Sequence, residues 1–240
     1  MPSYGYCEPE PNGVIYPRTG PIGKRSTGTP ARYYFNQWKS SSRFEQINIR
    51  LNQLDRQREG RDPNPSALCI DSQSQSANAV KLALFICEFR GIDGNKRVNG
   101  RKRQFVVDTQ GRLWAADVHA ANEGDGPTGI EVIRTILWGA GERLEKVYGD
   151  QAYNGVFKSA LAEWSIDFEK ASRSESAKGF VPVAKQWVVE PVRRCGSIGW
   201  TNFFRQLVKD YEYTLISSIN RLYLANIQIM LQRTSSQSVT

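Results

Sequence analysis

Three carboxylates stand at positions where acidic side chains commonly share a site. Asp71 follows a short apolar segment and precedes small polar residues, and Asp150 does the same within the sequence YGDQAYNG. Glu190 follows the apolar residues WVV and precedes a basic stretch. A carboxylate at the end of a strand, beside small residues, is open to solvent and can point into a cleft. These three residues are therefore the candidates for acidic chemistry.

Carboxylates that converge repel one another unless a divalent cation neutralises them. Mg²⁺ is suited to this role, because it is a hard ion that binds carboxylate oxygens and keeps water and phosphate oxygens as further ligands. Two such ions roughly 4 Å apart can activate a water or a hydroxyl and stabilise the leaving oxygen of a phosphodiester. The alternative is that each aspartate only caps a turn or a helix.

A basic segment runs from Arg90 to Arg103 and also contains Asp-Gly and Asn-Gly pairs, which are typical of turns. Lysine and arginine provide most of the sequence-independent affinity of proteins for DNA. We therefore predict a loop that contacts DNA phosphates through five side chains: Lys96, Arg97, Arg101, Lys102 and Arg103. A solvated turn without a ligand is the alternative.

The composition excludes several other classes of protein. The chain has 240 residues, 40% of them hydrophobic, so it can bury a core. No apolar run is long enough to span a membrane, and no secretion signal is recognisable, so a cytoplasmic location is predicted. The four cysteines are scattered and His119 is the single histidine, which argues against structural zinc. His119 is a general base, a ligand or a structural residue, and no nucleophile motif accompanies it.

Charge is distributed unevenly around the net value of +8. Residues 1–65 sum to +4 and residues 178–240 to +5, whereas residues 127–177 sum to −2. Basic flanks around an acidic centre suit a protein that binds a polyanion. On charge alone, ordinary solvated faces are the preferred explanation of the same numbers.

Local patterns predict alternating helices and strands. Apolar spacing indicates one or two helices within residues 32–54, and helices from Pro127 to about Leu144, over 156–165 and within 200–232. Strands are predicted at 66–71, 104–108, 113–119, 146–149 and 165–171, with a hairpin turn at 109–112. Residues 77–89 fit a strand or a helix, 172–180 fit a loop, and 182–195 fit the start of a helix.

This order predicts an α/β fold in which an antiparallel meander leads into parallel strands. Residues 1–31 contain 6 of the 11 prolines and are predicted to be disordered or aberrant. Residues 32–65 form a partial helical region, residues 66–232 form the α/β domain, and residues 233–240 form a tail.

Several stretches, in this order, resemble the bacterial insertion-sequence transposases of the DDE type, in the group conventionally numbered five. They are IDSQS around Asp71, RGIDGNKRVNGRKRQFVVDTQG, VHAAN, YGDQAY around Asp150, WVVE around Glu190, and FFRQLVKDYEYT. The resemblance covers about residues 32–232. It implies an RNase-H-like mixed sheet flanked by helices, in agreement with the predicted order of elements.

The resemblance also implies an activity. Asp71, Asp150 and Glu190 match the three catalytic carboxylates that bind two Mg²⁺ (or Mn²⁺) ions. Such enzymes hydrolyse the phosphodiester at the end of the element and join the freed 3′-hydroxyl to target DNA. The implied partners are the terminal inverted repeats, the target DNA and a second copy of the chain, and the implied location is the bacterial nucleoid.

Two segments depart from the pattern of this group. Residues 1–31 do not resemble the helical DNA-binding region that is expected before the YYF stretch. Pro191 to Gly196 follow Glu190 where an arginine and a continuing helix are expected, and Pro191 disfavours helical geometry at Glu190. The alternative is therefore a truncated or impaired chain, a non-catalytic DNA-binding remnant of a transposase. A different RNase-H-like nuclease is a third hypothesis that the motifs disfavour.

Overall fold

One mixed sheet, with six strands in the described part of the chain, organises the protein. The computed structural model describes residues 30–76, 89–170 and 204–236. The strands are β1 (Ala67–Ser76), β2 (Gly91–Ile92), β3 (Asn99–Asp108), β4 (Leu113–Ala120), β5 (Lys146–Gly149) and β6 (Asp167–Lys170).

The strands pair as an antiparallel meander joined to a parallel pair. β1 lies antiparallel to β3 on one side. On the other side of β3, β2 pairs with its first two residues and β4 pairs with the residues that follow, both in antiparallel orientation. β5 lies parallel to β1 on its free edge, and β6 lies parallel to β5. This is the RNase-H-like arrangement, so the predicted fold class is confirmed.

Helices cover both faces of the sheet. They are α1 (Pro30–Ser40), α2 (Arg43–Arg58), α3 (Asp125–Gly139), α4 (Val156–Glu163) and α5 (Leu215–Ser236). Short 3₁₀ turns occur at Gln151–Tyr153 and Arg205–Leu207. No helix in these described ranges combines the length and the apolar character that a bilayer span requires.

Alternating side chains of the central strands supply two separate cores. Ile70 of β1 and Val106 of β3 pack with α3 and α4 on one face. Cys69 and Phe105, each one residue away, pack with α2 and α5 on the other face. The period of two along a strand divides the apolar residues in this way. Burial raises the pKa of the Cys69 thiol to about 12, so this thiol is unreactive.

The β3–β4 hairpin confirms a sequence prediction. The Asp108 carboxylate accepts hydrogen bonds from the backbone N–H groups of Gln110 (2.9 Å) and Arg112 (3.1 Å). Gly111 has φ of 76°, a left-handed conformation that glycine adopts without steric cost. The turn therefore matches its sequence signals.

Two strand boundaries correct the sequence predictions. β1 does not end at Asp71 but continues to Ser76, because its polar second half pairs with β3 from Gln104 to Gly100. The predicted loop from Arg90 to Arg103 is also wrong in part, since β3 begins at Asn99. The backbone groups of both polar segments are satisfied by the ladder, which does not depend on the polarity of the side chains.

Helix boundaries differ less. α3 begins at Asp125, two residues before Pro127, and ends at Gly139. The C-terminal periodicity becomes a helix only from Leu215. Phe44 of α2 packs into the same core as Phe105 of β3. The domain boundaries that the sequence suggests stay predictions. The expectations for residues 1–29, 77–88, 171–203 and 237–240 lie outside the described residues.

Candidate active site

Asp71, in the central strand β1, and Asp150, directly after β5, line one cleft. The cleft has a volume of about 370 Å³ and is also lined by Asp93, Asp125 and two lysines, Lys96 and Lys102. The parallel register explains why the two aspartates meet. Cys69 is opposite Tyr148, so Asp71 and Asp150, each two residues further on, come at the same level of neighbouring strands.

Each of the two carboxylates is oriented by a backbone N–H group. Oδ1 of Asp71 accepts a hydrogen bond from the N–H of Ser72 at 2.8 Å. Oδ1 of Asp150 accepts one from the N–H of Ala152 at 2.9 Å, because Asp150 caps the 3₁₀ turn that follows β5. Both residues are half-buried, so their carboxylates are held in place and still reach the cleft. Asp150 therefore both caps the 3₁₀ turn and lines the cleft.

Glu190, the third predicted carboxylate, lies outside the described residues. Within residues 30–76, 89–170 and 204–236, no group of three acidic, histidine or cysteine side chains is arranged to hold a metal ion. The carboxylates of Asp71 and Asp150 carry oxygen atoms of the kind that Mg²⁺ prefers as ligands.

Asp93 fixes the turn that carries Lys96. Its carboxylate accepts hydrogen bonds from the Ser74 hydroxyl and from the backbone N–H groups of Asn95 (2.9 Å) and Lys96 (3.1 Å). The bond from Ser74, together with these N–H groups, lowers the pKa of Asp93 to about 2. Asp93 is therefore ionised and committed to the turn, and it holds Lys96 at the cleft.

Lys102 is a buried cation of the same cleft. Its Nζ lies 3.2 Å from Oδ1 of Asp125 and donates to the carbonyl of Glu123 at 3.2 Å. Only 7% of the residue is exposed. Asp125 is the first residue of α3, and Glu123 lies two residues before it. The N-terminal end of this helix therefore holds the ammonium group of Lys102.

The structure corrects the prediction that Arg101 and Arg103 contact DNA. Arg101 is fully buried; its Nη1 donates to the carbonyl of Glu212 at 2.8 Å and lies 3.3 Å from Oδ2 of Asp210. Arg103 is 1% exposed and donates to the carbonyl of Leu207 at 2.6 Å. Both side chains anchor the segment before α5. Lys96 and Arg97 are exposed, as DNA contacts require.

A buried polar chain beside the cleft escaped the sequence analysis. It contains His119, Gln104 and Tyr153, of which Gln104 is fully buried on β3. The available signal was a glutamine within the apolar strand sequence QFVVD, on the same face as Val106. His119 is 4% exposed and is not among the residues that line the cleft.

Known structures show distant similarity to the chain. The catalytic core domain of BIV integrase is 11% identical, with a TM-score of 0.37, over 72% of this chain and 98% of that one. The Mos1 mariner paired end complex with Mn is 9% identical, with a TM-score of 0.30, over 80% of this chain and 60% of that one. A pre-cleavage Mos1 transpososome is 9% identical, with a TM-score of 0.34, over 91% of this chain and 66% of that one. The chain thus spans less than two thirds of the Mos1 chains. No curated protein matches it.

A family model assigns the chain. The model for the transposase DDE domain matches residues 62–181, which is half of the chain. The matched region contains all six strands of the sheet and both aspartates of the cleft. The chain therefore belongs to the transposase DDE domain family.

Proposed function

We propose that this protein cleaves DNA at the ends of an insertion-sequence element and transfers the freed strand to target DNA. The observation that carries the proposal is the meeting of Asp71 and Asp150 in one cleft, at positions within the family match. Glu190 supplies the third carboxylate in this proposal. The motifs around these residues favour the bacterial group conventionally numbered five, whose DNA substrate would be met at the nucleoid.

The donor set of the cleft fits Mg²⁺ or Mn²⁺. Asp71 and Asp150 offer hard carboxylate oxygens, each oriented by one backbone N–H group. These two residues, with Glu190, would hold the ions. Bound divalent ions would supply activation of a water or hydroxyl nucleophile and stabilisation of the leaving oxygen.

Lys96 of the cleft would bind the DNA backbone. Lys96 is exposed on a turn that Asp93 holds, whereas Lys102 is buried and paired with Asp125. Phosphate contacts of this kind position DNA without reading its sequence. Arg97, which neighbours Lys96 and is exposed, would extend the contact outside the cleft. The DNA partners would be the terminal inverted repeats of the element and the target DNA. Pairing of the two ends of the element would require a homodimer of the chain.

Cleavage of the cognate inverted repeat in the presence of Mg²⁺ or Mn²⁺ tests the proposal. We expect Asp71→Asn and Asp150→Asn each to lower the cleavage rate by roughly 100-fold or more, because each removes a charged oxygen ligand. Asp167→Asn on β6 is the matched control, since Asp167 is exposed and does not line the cleft. Cleavage that survives in Asp71→Asn would overturn the proposal.

A non-catalytic DNA-binding remnant is the second candidate. It is favoured by Pro191, which directly follows Glu190 and disfavours helical geometry there. Deletion of residues 191–195 removes this proline and belongs in the same assay. DNA binding without cleavage, both by the full chain and by this deletion, would support the remnant. Cleavage by the full chain would exclude it.

A further inference from the structure

A directed chain of hydrogen bonds runs beside the cleft from His119 to Tyr153. Nδ1 of His119 lies 3.0 Å from the carbonyl of Ala120, so Nδ1 carries the hydrogen and Nε2 is an acceptor. Nε2 lies 3.3 Å from the amide nitrogen of Gln104, which donates to it. The amide oxygen of Gln104 accepts from the Tyr153 hydroxyl at 3.4 Å. Gln104 lies opposite Ser72 in the β1–β3 ladder, and Ser72 directly follows Asp71.

The orientation of the Gln104 amide is determined by its surroundings. Its nitrogen also lies 3.1 Å from the carbonyl of Asp125 and within hydrogen-bonding distance of the Thr128 hydroxyl. That hydroxyl donates to the carbonyl of Gly124 at 2.9 Å, so it accepts from Gln104. All these neighbours of the amide nitrogen are acceptors. The amide oxygen of Gln104 is therefore directed at Tyr153.

The ring of Tyr153 is held tightly. A Cβ added at Gly129 would lie 2.9 Å from Cε1 of Tyr153, and one added at Gly149 would lie 3.2 Å from Cδ2. The ring also packs edge-on against Phe157, with centroids 5.2 Å apart. Only 1% of the residue is exposed. The hydroxyl therefore has little freedom to move away from Gln104.

The position of this hydroxyl links the two carboxylates. Tyr153 ends the 3₁₀ turn that Asp150 caps, and its partner Gln104 lies opposite Ser72, the residue after Asp71. Burial, and then the negative charges of Asp125, Asp71 and Asp150, raise the pKa of Tyr153 well above its ordinary value. The phenol therefore stays protonated and keeps donating to Gln104.

We propose that Tyr153 is a positioning residue that sets the separation of Asp71 and Asp150, because it bonds the turn of Asp150 to β3 at the residue opposite Ser72 of β1. The inference rests on the proposed function, because it assumes that these aspartates bind a divalent ion together. Loss of the hydroxyl leaves both carboxylates present but lets β1 and the turn after β5 shift relative to each other. Partners that orient metal ligands typically change metal affinity by about 10- to 100-fold when they are removed.

Calorimetric titration of the full chain with Mn²⁺ tests the inference without any need for catalysis. Tyr153→Phe keeps the ring and removes the hydroxyl, and we expect its Mn²⁺ dissociation constant to rise by about 10-fold or more. Gln104→Leu, which removes the acceptor, is expected to act in the same direction. Asp150→Asn is expected to abolish binding at this site.

Tyr223→Phe is the matched control for general loss of stability. Tyr223 is 4% exposed on α5, and its hydroxyl accepts a hydrogen bond from the N–H of Ala116 at 3.2 Å, away from the cleft. We expect this variant to lower the melting temperature and to leave Mn²⁺ affinity unchanged. The melting temperature of each variant is measured without metal.

The outcomes separate the inference from the proposed function. If the wild type binds Mn²⁺ no better than Asp150→Asn does, the proposed metal site itself is wrong. If the wild type binds Mn²⁺, Asp150→Asn does not, and Tyr153→Phe matches the wild type, only the positioning role is overturned. An equal loss of affinity in Tyr153→Phe and Tyr223→Phe would also overturn it, because the effect would then be general.

Discussion

Nε of Arg112 donates a 2.7 Å hydrogen bond to Oδ2 of Asp55 and so joins the β3–β4 hairpin turn to helix α2. Arg112 is fully buried, and its Nη1 lies 3.2 Å from Oδ2 of Asp108. Arg56 of α2 pairs with the same oxygen at 2.8 Å. Charged residues are almost never buried unless they are paired. This network therefore fixes how α2 lies on the sheet.

Removal of the central cation should destabilise the protein strongly. Arg112→Ala leaves Asp55 without this buried partner, and we expect the free energy of unfolding to fall by about 3–5 kcal/mol. Arg134→Ala is the control, because Arg134 and its partner Glu131 are 48% and 55% exposed. Its expected effect is below about 1 kcal/mol. Urea unfolding at pH 7 measures both, and equal effects would contradict a structural role of the network.

An added methyl group should lower the stability of the protein at Gly129 of α3 but not at Gly139. In Gly129→Ala the new Cβ would lie 2.9 Å from Cε1 of Tyr153 and 3.1 Å from Cδ1 of Ile70, inside a packed core. We expect a loss of about 1–3 kcal/mol in the free energy of unfolding. In Gly139→Ala the nearest atom, Cδ1 of Ile49, lies 3.9 Å away, so stability should not fall. Thermal and urea unfolding measure the stability of both variants. An unchanged stability of Gly129→Ala would show that the core shifts to make room for the methyl group.

Asp93 should titrate unusually low. Its pKa of about 2 lies below the ordinary value of 3.8, chiefly because the Ser74 hydroxyl donates to it. A lowered pKa means that Asp93 stabilises the fold fully above about pH 4 and loses this contribution as the pH falls towards 2. Carboxyl carbon NMR shifts report the titration. Ser74→Ala should raise the pKa towards 3.8, and an unchanged pKa would assign the effect to the two backbone N–H groups instead.

Basic residues of the turn before β3 should contribute to DNA binding, whereas an exposed arginine elsewhere should not. Lys96→Ala and Arg97→Ala should each flatten the dependence of log K on log salt by about 0.9, because each loses one phosphate contact. Arg134→Ala on α3 is the matched control and should leave the slope unchanged. Fluorescence anisotropy with duplex DNA at several salt concentrations measures the slopes. Unchanged slopes for both Lys96→Ala and Arg97→Ala would show that this turn does not touch DNA.

Local sequence patterns determined the elements and the order in which they occur. The hairpin follows from a turn sequence between two apolar strands, and the KVYG strand that leads to Asp150 was recognised from the same signals. The motifs also singled out Asp71 and Asp150, which the cleft brings together. Such features depend on residues near each other in the chain, so composition and spacing suffice to predict them.

Tertiary contacts decided which polar side chains are buried and with what partners. Arg101 and Arg103 have the composition of a surface loop, yet the segment that carries Asp210, more than 100 residues later, covers them. Gln104 and Tyr153 meet only because β3 and the turn after β5 come together on one face of the sheet. Burial and pairing of this kind depend on groups distant in the chain, and no local pattern contains them. The sequence by itself therefore determined the candidate carboxylates, whereas the tertiary structure alone decided what holds them in place.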